Sequence, residues 1–543
     1  MSEKKKIAHA LTQHSDVASL KALYQSAAMS RRAFVSRLAA LGISTSLAGI
    51  IVAGSPVAVA ATPKRGGRMR AAAGAHGPDD TLDPARFNSV INYGRGEQFY
   101  NGLTRIDGFL VAQPDLAESW EPNGNATEWV FKLRKGVEFH SGKSLDAEDA
   151  LYSIQRHLNK DVGSSAKAFV ANVAEGIVEN KHTLRFKLKG PDADFPVVLG
   201  LYQMKIVPVG TTDFSTAPGT GPFKLKEFKP GVRSLAHRNE NYWEEGRPYL
   251  DEIEWFGISD HNARMNALLA GDISMMSGLD PKAIAKINGS ADVRVVNTKA
   301  GQYTNFAMMT DRAPSDNNEL RLAIKYLQNR ERILKLIYKG NGMLGNDQPI
   351  SPVDPMYCDE IPMRGYDPDK AKHHLKKAGM DGGTIKVHTS EVAGTGAIEQ
   401  ALMLQREASK IGLKIEVQRD PGDGYWSATW GKKPFFMSGW NMRPTANIML
   451  TLAFTSDAAW NEAKWKSPRF DELLTLGRAS LDPVQRKSIY CEAQTLIQQT
   501  GGVAIPCFID YLDAMSNKVK GFEPVPLGPL GASQWPRSVW LEG

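Results

Sequence analysis

Apolar and polar positions along the chain switch repeatedly between a period of two and a period near 3.6. Val130-Phe131-Lys132-Leu133-Arg134 alternates as a strand does. A helix is predicted next, with Asp146 as N-cap, Asp149 three residues on, and Ala147, Leu151, Ile154 and Leu158 on one face. Asp367-Pro368 and Asp482-Pro483 each place a capping acid before a proline at the first helical position. Gly379 and Gly501 close those two helices. Between them, Thr384–His388 reads as a strand, Ala397–Lys410 as a helix and Leu413–Val417 as a second strand, a βαβ unit. Pro218-Gly219-Thr220-Gly221-Pro222 and Pro421-Gly422-Asp423-Gly424 are turns. The fold class predicted is mixed α/β, with no internal repeat.

With 543 residues, the chain exceeds one compact core and calls for about three domains or two large lobes. Its formal charge of +7 is unevenly placed. Residues 1–61 hold seven Lys/Arg against two acids, which leaves only +2 for the rest and argues against a nucleic-acid surface. That first segment reads as an address label. Ser30-Arg31-Arg32-Ala33-Phe34-Val35 is a twin-arginine signal, followed by a weakly apolar stretch from Leu38 to Ala53 and a small-residue site, Ala58-Val59-Ala60. Cleavage is expected near Ala60 or Ala61. The apolar stretch falls short of the ~20 residues that span a bilayer, so the mature chain is expected to be soluble and periplasmic.

Three cysteines, Cys358, Cys491 and Cys507, permit at most one bridge, and the sequence leaves its existence open. Cys491 in a helical pattern and Cys507 in an apolar run are read as buried thiols. Motifs of catalysis are missing: no His-Glu-x-x-His, no Gly-x-Ser-x-Gly, and no Gly-x-Gly-x-x-Gly before a helix. The run from Gly136 to Ser144 imitates a phosphate-binding loop but has five residues between its glycines where that loop has four. It is read as a hairpin or connection. His373 and His374 are neighbours on a basic helix, point ~100° apart and are read as surface, so no metal site and no cofactor is expected.

Several runs carry a resemblance. They are Leu82-Asp83-Pro84, Phe99-Tyr100-Asn101-Gly102-Leu103-Thr104, Leu116-Ala117-Glu118-Ser119-Trp120-Glu121 and the stretch from Phe131 to Gly142. The central one is Gly219-Thr220-Gly221-Pro222-Phe223-Lys224-Leu225, continuing to Arg238-Asn239-Glu240-Asn241-Tyr242-Trp243 and Pro248-Tyr249-Leu250-Asp251. Later come Tyr366-Asp367-Pro368 and Asn517-Lys518-Val519-Lys520-Gly521-Phe522. In order and spacing the chain resembles the extracellular solute-binding proteins of ABC importers, family 5, the dipeptide/oligopeptide-binding group. The resemblance implies a bilobal periplasmic-binding-protein fold, type II-like, with an extra domain and two hinged lobes around a cleft. It implies lobe I from residues 62–103, 217–300 and 505–543, an accessory domain at 104–216, and lobe II at 301–504. It also implies a non-enzymatic monomer that hands a peptide-like or small polar solute to an ABC permease and ATPase in the inner membrane. A secreted hydrolase or a ligand sensor on a similar scaffold is the alternative.

In peptide-binding relatives a Gly-Trp pair precedes, three residues after the Trp, an acid that holds the ligand's amino group. Here the run is Gly439-Trp440-Asn441-Met442-Arg443, so the acidic position falls on Arg443. A guanidinium there attracts carboxylates and repels an amine. The expectation is an anionic group on the solute at Arg443; the competing expectation is a salt bridge to a neighbouring acid. Trp440, Trp460, Asn461, Tyr425, Trp426, Tyr93, Tyr303 and Asn305 complete the candidate ligand contacts, each with core packing or turn capping as its alternative role.

Overall fold

The computed structural model describes residues 62–543 apart from 75, 76 and 78. The twin-arginine run and the cleavage site at Ala60/Ala61 lie outside the described residues.

Twelve strands form one large mixed sheet. Its order is Lys414–Arg419, Thr384–Thr389, Phe435–Trp440, Val293–Met308, Cys507–Ser516, Met275–Met276, Arg68–Ala73, Glu252–Gly257, Arg233–Arg238 and Phe223–Lys229, with Gly342–Leu344 and Val503–Ala504 on side branches. The two long strands in the middle, Val293–Met308 and Cys507–Ser516, pair antiparallel from Val293↔Ser516 to Tyr303↔Phe508, and their register breaks between Thr298 and Gln302. A second sheet of four antiparallel strands runs Ala117–Pro122, Glu128–Leu133, Thr183–Leu188 and Val173–Asn180.

Apolar side chains gather in separate cores rather than one. One core surrounds Phe131, Phe186 and Phe195, which meet edge to face. A second lies around Met69, Phe99, Trp255 and Trp535. A third lies around Ile385, Val387, Leu404 and Met437, and a fourth around Tyr303, Trp440, Leu450, Phe470 and Tyr490. Each large side chain buried in them contributes roughly 1.5–3 kcal/mol, so each core is substantial by itself. That is how a chain of this length folds around several cores instead of one.

The local patterns place these elements. Asp146 caps Ala147–Arg156, and the Asp149 carboxylate returns to the Asp146 amide at 3.1 Å, a reciprocal capping box. The helix stops at Arg156, so Leu158 lies beyond it, though still against the same core. Asp367 and Asp482 cap Pro368–Lys377 and Pro483–Thr500 as their prolines predict. The βαβ unit is Thr384–Thr389, Ala397–Ser409 and Lys414–Arg419, with the strands parallel from Thr384↔Lys414. The Gly136–Ser144 run is a connection closed by a Glu138↔Ser144 bridge, with Gly136 at φ 74° and Gly142 at φ 86°. At the Pro218–Pro222 turn, a Cβ on Gly219 would sit 1.9 Å from the Phe99 carbonyl oxygen, so no larger residue fits.

Cys491 corrects one expectation. It is not a free thiol but bridges Cys358, with 4.9 Å between their Cα atoms. The approach follows from Gln494, one turn later on the same helix. Its amide accepts from Cys358 N at 3.1 Å and donates to the Met356 carbonyl at 2.7 Å, fastening that loop to the helix. Cys507 is a buried thiol, and burial pushes its pKa up to about 12. Among the described residues no helix is long and apolar enough to cross a membrane.

Candidate functional site

The Phe435–Trp440 strand pairs antiparallel with Val293–Met308, which sets Tyr303 opposite Trp440 and Asn305 opposite Ser438. Beneath this ladder lies a carboxylate absent from the sequence reading. Glu462 is buried, and its Oε1 accepts from Asn305 Nδ2 at 2.9 Å and from Trp440 Nε1 at 3.1 Å. Its Oε2 accepts from Trp430 Nε1 at 2.6 Å. Burial pushes the Glu462 carboxyl above its ordinary pKa, and these donors pull it back. The result is a dry polar anchor that holds two indoles in fixed orientation.

The chain leaves the strand at Trp440 and enters the Ala446–Phe454 helix, whose N-cap Thr445 accepts from Ile448 N at 3.2 Å. Arg443 projects from the short turn between them. Its guanidinium carbon stands 5.9 Å from the Trp460 ring centre, and Trp460 itself lies 5.9 Å from Trp440 at a 60° tilt. Among the described residues Arg443 has no ion-pair or hydrogen-bond partner, and its Nε is sealed from solvent. The salt bridge to a neighbouring acid is therefore not formed.

Four tyrosines lie within electrostatic reach of this cation. Tyr93 stacks on Tyr202 with ring centres 3.9 Å apart. Burial raises the pKa of Tyr93, Tyr202, Tyr303 and Tyr511, and the Arg443 charge opposes the rise in all four. They therefore stay neutral phenols within the field of one guanidinium.

The remaining candidates separate into engaged and open groups. Asn461 organises its own loop: Nδ2 donates to the Thr455 and Trp465 carbonyls at 3.1 and 2.6 Å, and Oδ1 accepts from Trp465 N. Tyr425 is buried and donates to the Met437 carbonyl at 2.8 Å. Tyr303 directs its hydroxyl to the Met449 sulfur. Asn305 gives its amide N–H to Glu462 but leaves Oδ1 buried without a partner. Trp460 and Trp426 are each 47% exposed, which makes them the open aromatic surfaces. Sequence spacing could not have found Glu462, Tyr202 or Tyr511, which meet the motif only through the fold. His373 is exposed, and His374 is held by Glu319 at 2.6 Å and stacked on Tyr326.

This architecture is a bilobal periplasmic-binding-protein fold. It matches the structure of the periplasmic binding protein DppA from Helicobacter pylori in complex with the peptide STSA, with a TM-score of 0.73, 24% identity, and coverage of 88% of this chain and 99% of that one. The family model of bacterial extracellular solute-binding proteins, family 5 (middle), matches residues 111–462, and the chain belongs to that family. Curated relatives include the dipeptide-binding protein of Escherichia coli (strain K12), 27% identical over 492 residues, 83% of this chain and 91% of that protein. Di/tripeptide-binding protein 2 of Pseudomonas aeruginosa (strain UCBPP-PA14) is 26% identical over 497 residues, 84% of this chain and 92% of that protein.

Proposed function

We propose that the mature chain is the exported binding component of an ABC importer, a hinged clamp that holds a solute with an anionic group against Arg443. The single observation that carries this is the guanidinium itself. A permanently charged group, half-buried and with no protein anion, is poised for an anion brought by a ligand. A peptide-like solute is consistent with relatives named for dipeptides and tripeptides. Its amino end would be repelled here, and a carboxylate would be held bidentately.

In this reading the lobes divide as the family resemblance implies: 62–103, 217–300 and 505–543 against 301–504, with 104–216 as the accessory domain. The hinge of this reading falls at the register break between Thr298 and Gln302, where an irregular strand pair yields most easily. Contact with both lobes shifts the population toward the closed form that a permease recognises. Export by the twin-arginine route into a periplasm, a monomeric state and the absence of turnover belong to the same proposal.

The test is equilibrium binding of the native, Arg443→Ala and Arg443→Asp proteins to a metabolite library. Loss of anionic ligands in both variants, with cationic ligands gained by Arg443→Asp, is expected. Unchanged ligand preference removes Arg443 from the site.

A further inference from the structure

Three tyrosines near Arg443 share a property that distinguishes them from Tyr303, Tyr425 and Trp440. Tyr93, Tyr202 and Tyr511 come from three separate parts of the chain: the Val90–Phe99 helix, the segment after the Phe195–Val198 helix, and the Cys507–Ser516 strand. Tyr93 and Tyr202 are stacked, and Met442, next to Arg443, packs in one core with Leu199, Leu201 and Met204, which flank Tyr202 in sequence. The Met442 sulfur accepts from Gly301 N at 3.1 Å, within the register break that begins at Thr298, the residue opposite Tyr511. None of the three hydroxyls has a hydrogen-bond partner among the described residues. By contrast, the polar atoms of Tyr303, Tyr425 and Asn461 and the N–H of Trp440 are engaged inside the protein.

The acids within reach of the phenols are engaged as well. Glu97 pairs with Lys205 at 2.6 Å, and Asp513 accepts from Gly278 N at 3.0 Å and from Leu530 N. Apart from the buried Asn305 Oδ1, what stays open is a set of donors: one guanidinium and three neutral O–H groups. Beside them the 47% exposed Trp460 ring offers a flat apolar surface directly under the Arg443 side chain. A ligand that fits must accept at one end and be planar next to it.

We infer that Tyr93, Tyr202 and Tyr511 complete a carboxylate-binding cup around Arg443, and that the solute is a carboxylate whose flat, unsaturated body lies on Trp460. This rests on the anion-binding reading of Arg443 and adds to it the class of solute and two residues, Tyr202 and Tyr511, outside the motif. Trp440 then contributes a wall rather than a hydrogen bond, because its N–H belongs to Glu462.

The experiment is isothermal titration of the dialysed mature chain with 2-naphthoate, hexanoate and 2-naphthamide, repeated on Tyr202→Phe, Tyr511→Phe and Arg443→Ala. Circular dichroism confirms that each variant is folded. The expected result is 2-naphthoate binding about tenfold tighter than hexanoate, and about tenfold weaker in each Tyr→Phe protein, as for hydrogen bonds to a charged group. 2-Naphthamide is expected to bind weakly and to ignore the hydroxyl deletions. If naphthoate and hexanoate bind equally, depend on Arg443 and are untouched by both Tyr→Phe changes, the inference falls while the anion-binding reading stands. If the amide binds as well as the acid and Arg443→Ala changes nothing, the reading itself falls. No measurable binding of either carboxylate also overturns the inference.

Discussion

Glu462 holds the indole N–H of Trp440 at 3.1 Å on the same oxygen that accepts from Asn305 at 2.9 Å. With 3% of its surface exposed, this carboxylate has no water to replace a lost partner. Glu462→Gln keeps the shape but turns one acceptor into a donor facing N–H groups. We expect a loss of about 1–3 kcal/mol in denaturant unfolding. Near-ultraviolet circular dichroism should also change as Trp440 and Trp430 lose their common anchor. An unchanged tryptophan signature would separate Glu462 from the aromatic wall.

Lys325 is fully buried, and its ammonium donates to the carbonyls of Ile497, Gln498 and Gly501 at the end of the Pro483–Thr500 helix. Burial lowers its pKa to about 7 from the ordinary lysine value. Between that pH and about 10 the unfolded chain holds a proton that the folded chain has released, so stability rises with pH across this window. The slope from this residue approaches about 1.4 kcal/mol per pH unit at most. Denaturant unfolding of Lys325→Met from pH 6 to 10 should lack that contribution, and parallel curves for the two proteins would contradict it.

Arg486 meets Asp194 at 2.6 Å, and Ala193 N donates to the Arg478 carbonyl at 3.0 Å nearby. Asp192 and Asp354 face this pair, and Tyr490 packs beside it. Burial first, then the neighbouring Asp194, raises the pKa of Asp192 and Asp354 to about 7. Folded carboxyls with raised pKa keep protons that the unfolded chain loses above about 4, so stability falls as pH rises toward 7. Asp354→Asn should therefore be more stable than the native protein at pH 8 and gain little at pH 5. Arg486→Gln leaves Asp194 buried without its cation and should lose about 3–5 kcal/mol at pH 8. Thermal unfolding at the two pH values checks both.

The Cys358–Cys491 bridge closes a sequence separation of 133 residues. Restricting so long a loop in the unfolded chain corresponds to about 5 kcal/mol in the chain-entropy view. The double variant Cys358→Ala/Cys491→Ala should unfold at lower denaturant, and dithiothreitol should lower the native protein to the same midpoint while leaving the variant unmoved. Sensitivity of the variant to reductant would contradict this assignment.

Helix starts were readable because their signals are local: Asp146, Asp367 and Asp482 each bond amides within three residues. The βαβ unit was readable for the same reason, since its periods change within forty residues. The 16-residue Val293–Met308 strand was not, because its partners lie in the Phe435–Trp440 and Cys507–Ser516 strands, more than a hundred residues away. The site divides likewise. Trp440 and Arg443 stand in one contiguous motif, whereas Glu462 meets Trp440 only through tertiary packing, and Tyr202 and Tyr511 come from distant parts of the chain. An asparagine beside tryptophans, such as Asn461, reads equally as ligand contact or loop organiser in sequence, and its amide bonds within the loop.

Whether this clamp takes an anion and leaves it intact is addressed most directly by mass spectrometry of small molecules released from protein purified out of its native host. One solute per chain, carrying a carboxylate and chemically unaltered, is expected. A released solute with no anionic group, or a mixture of a compound and its conversion product, would contradict it.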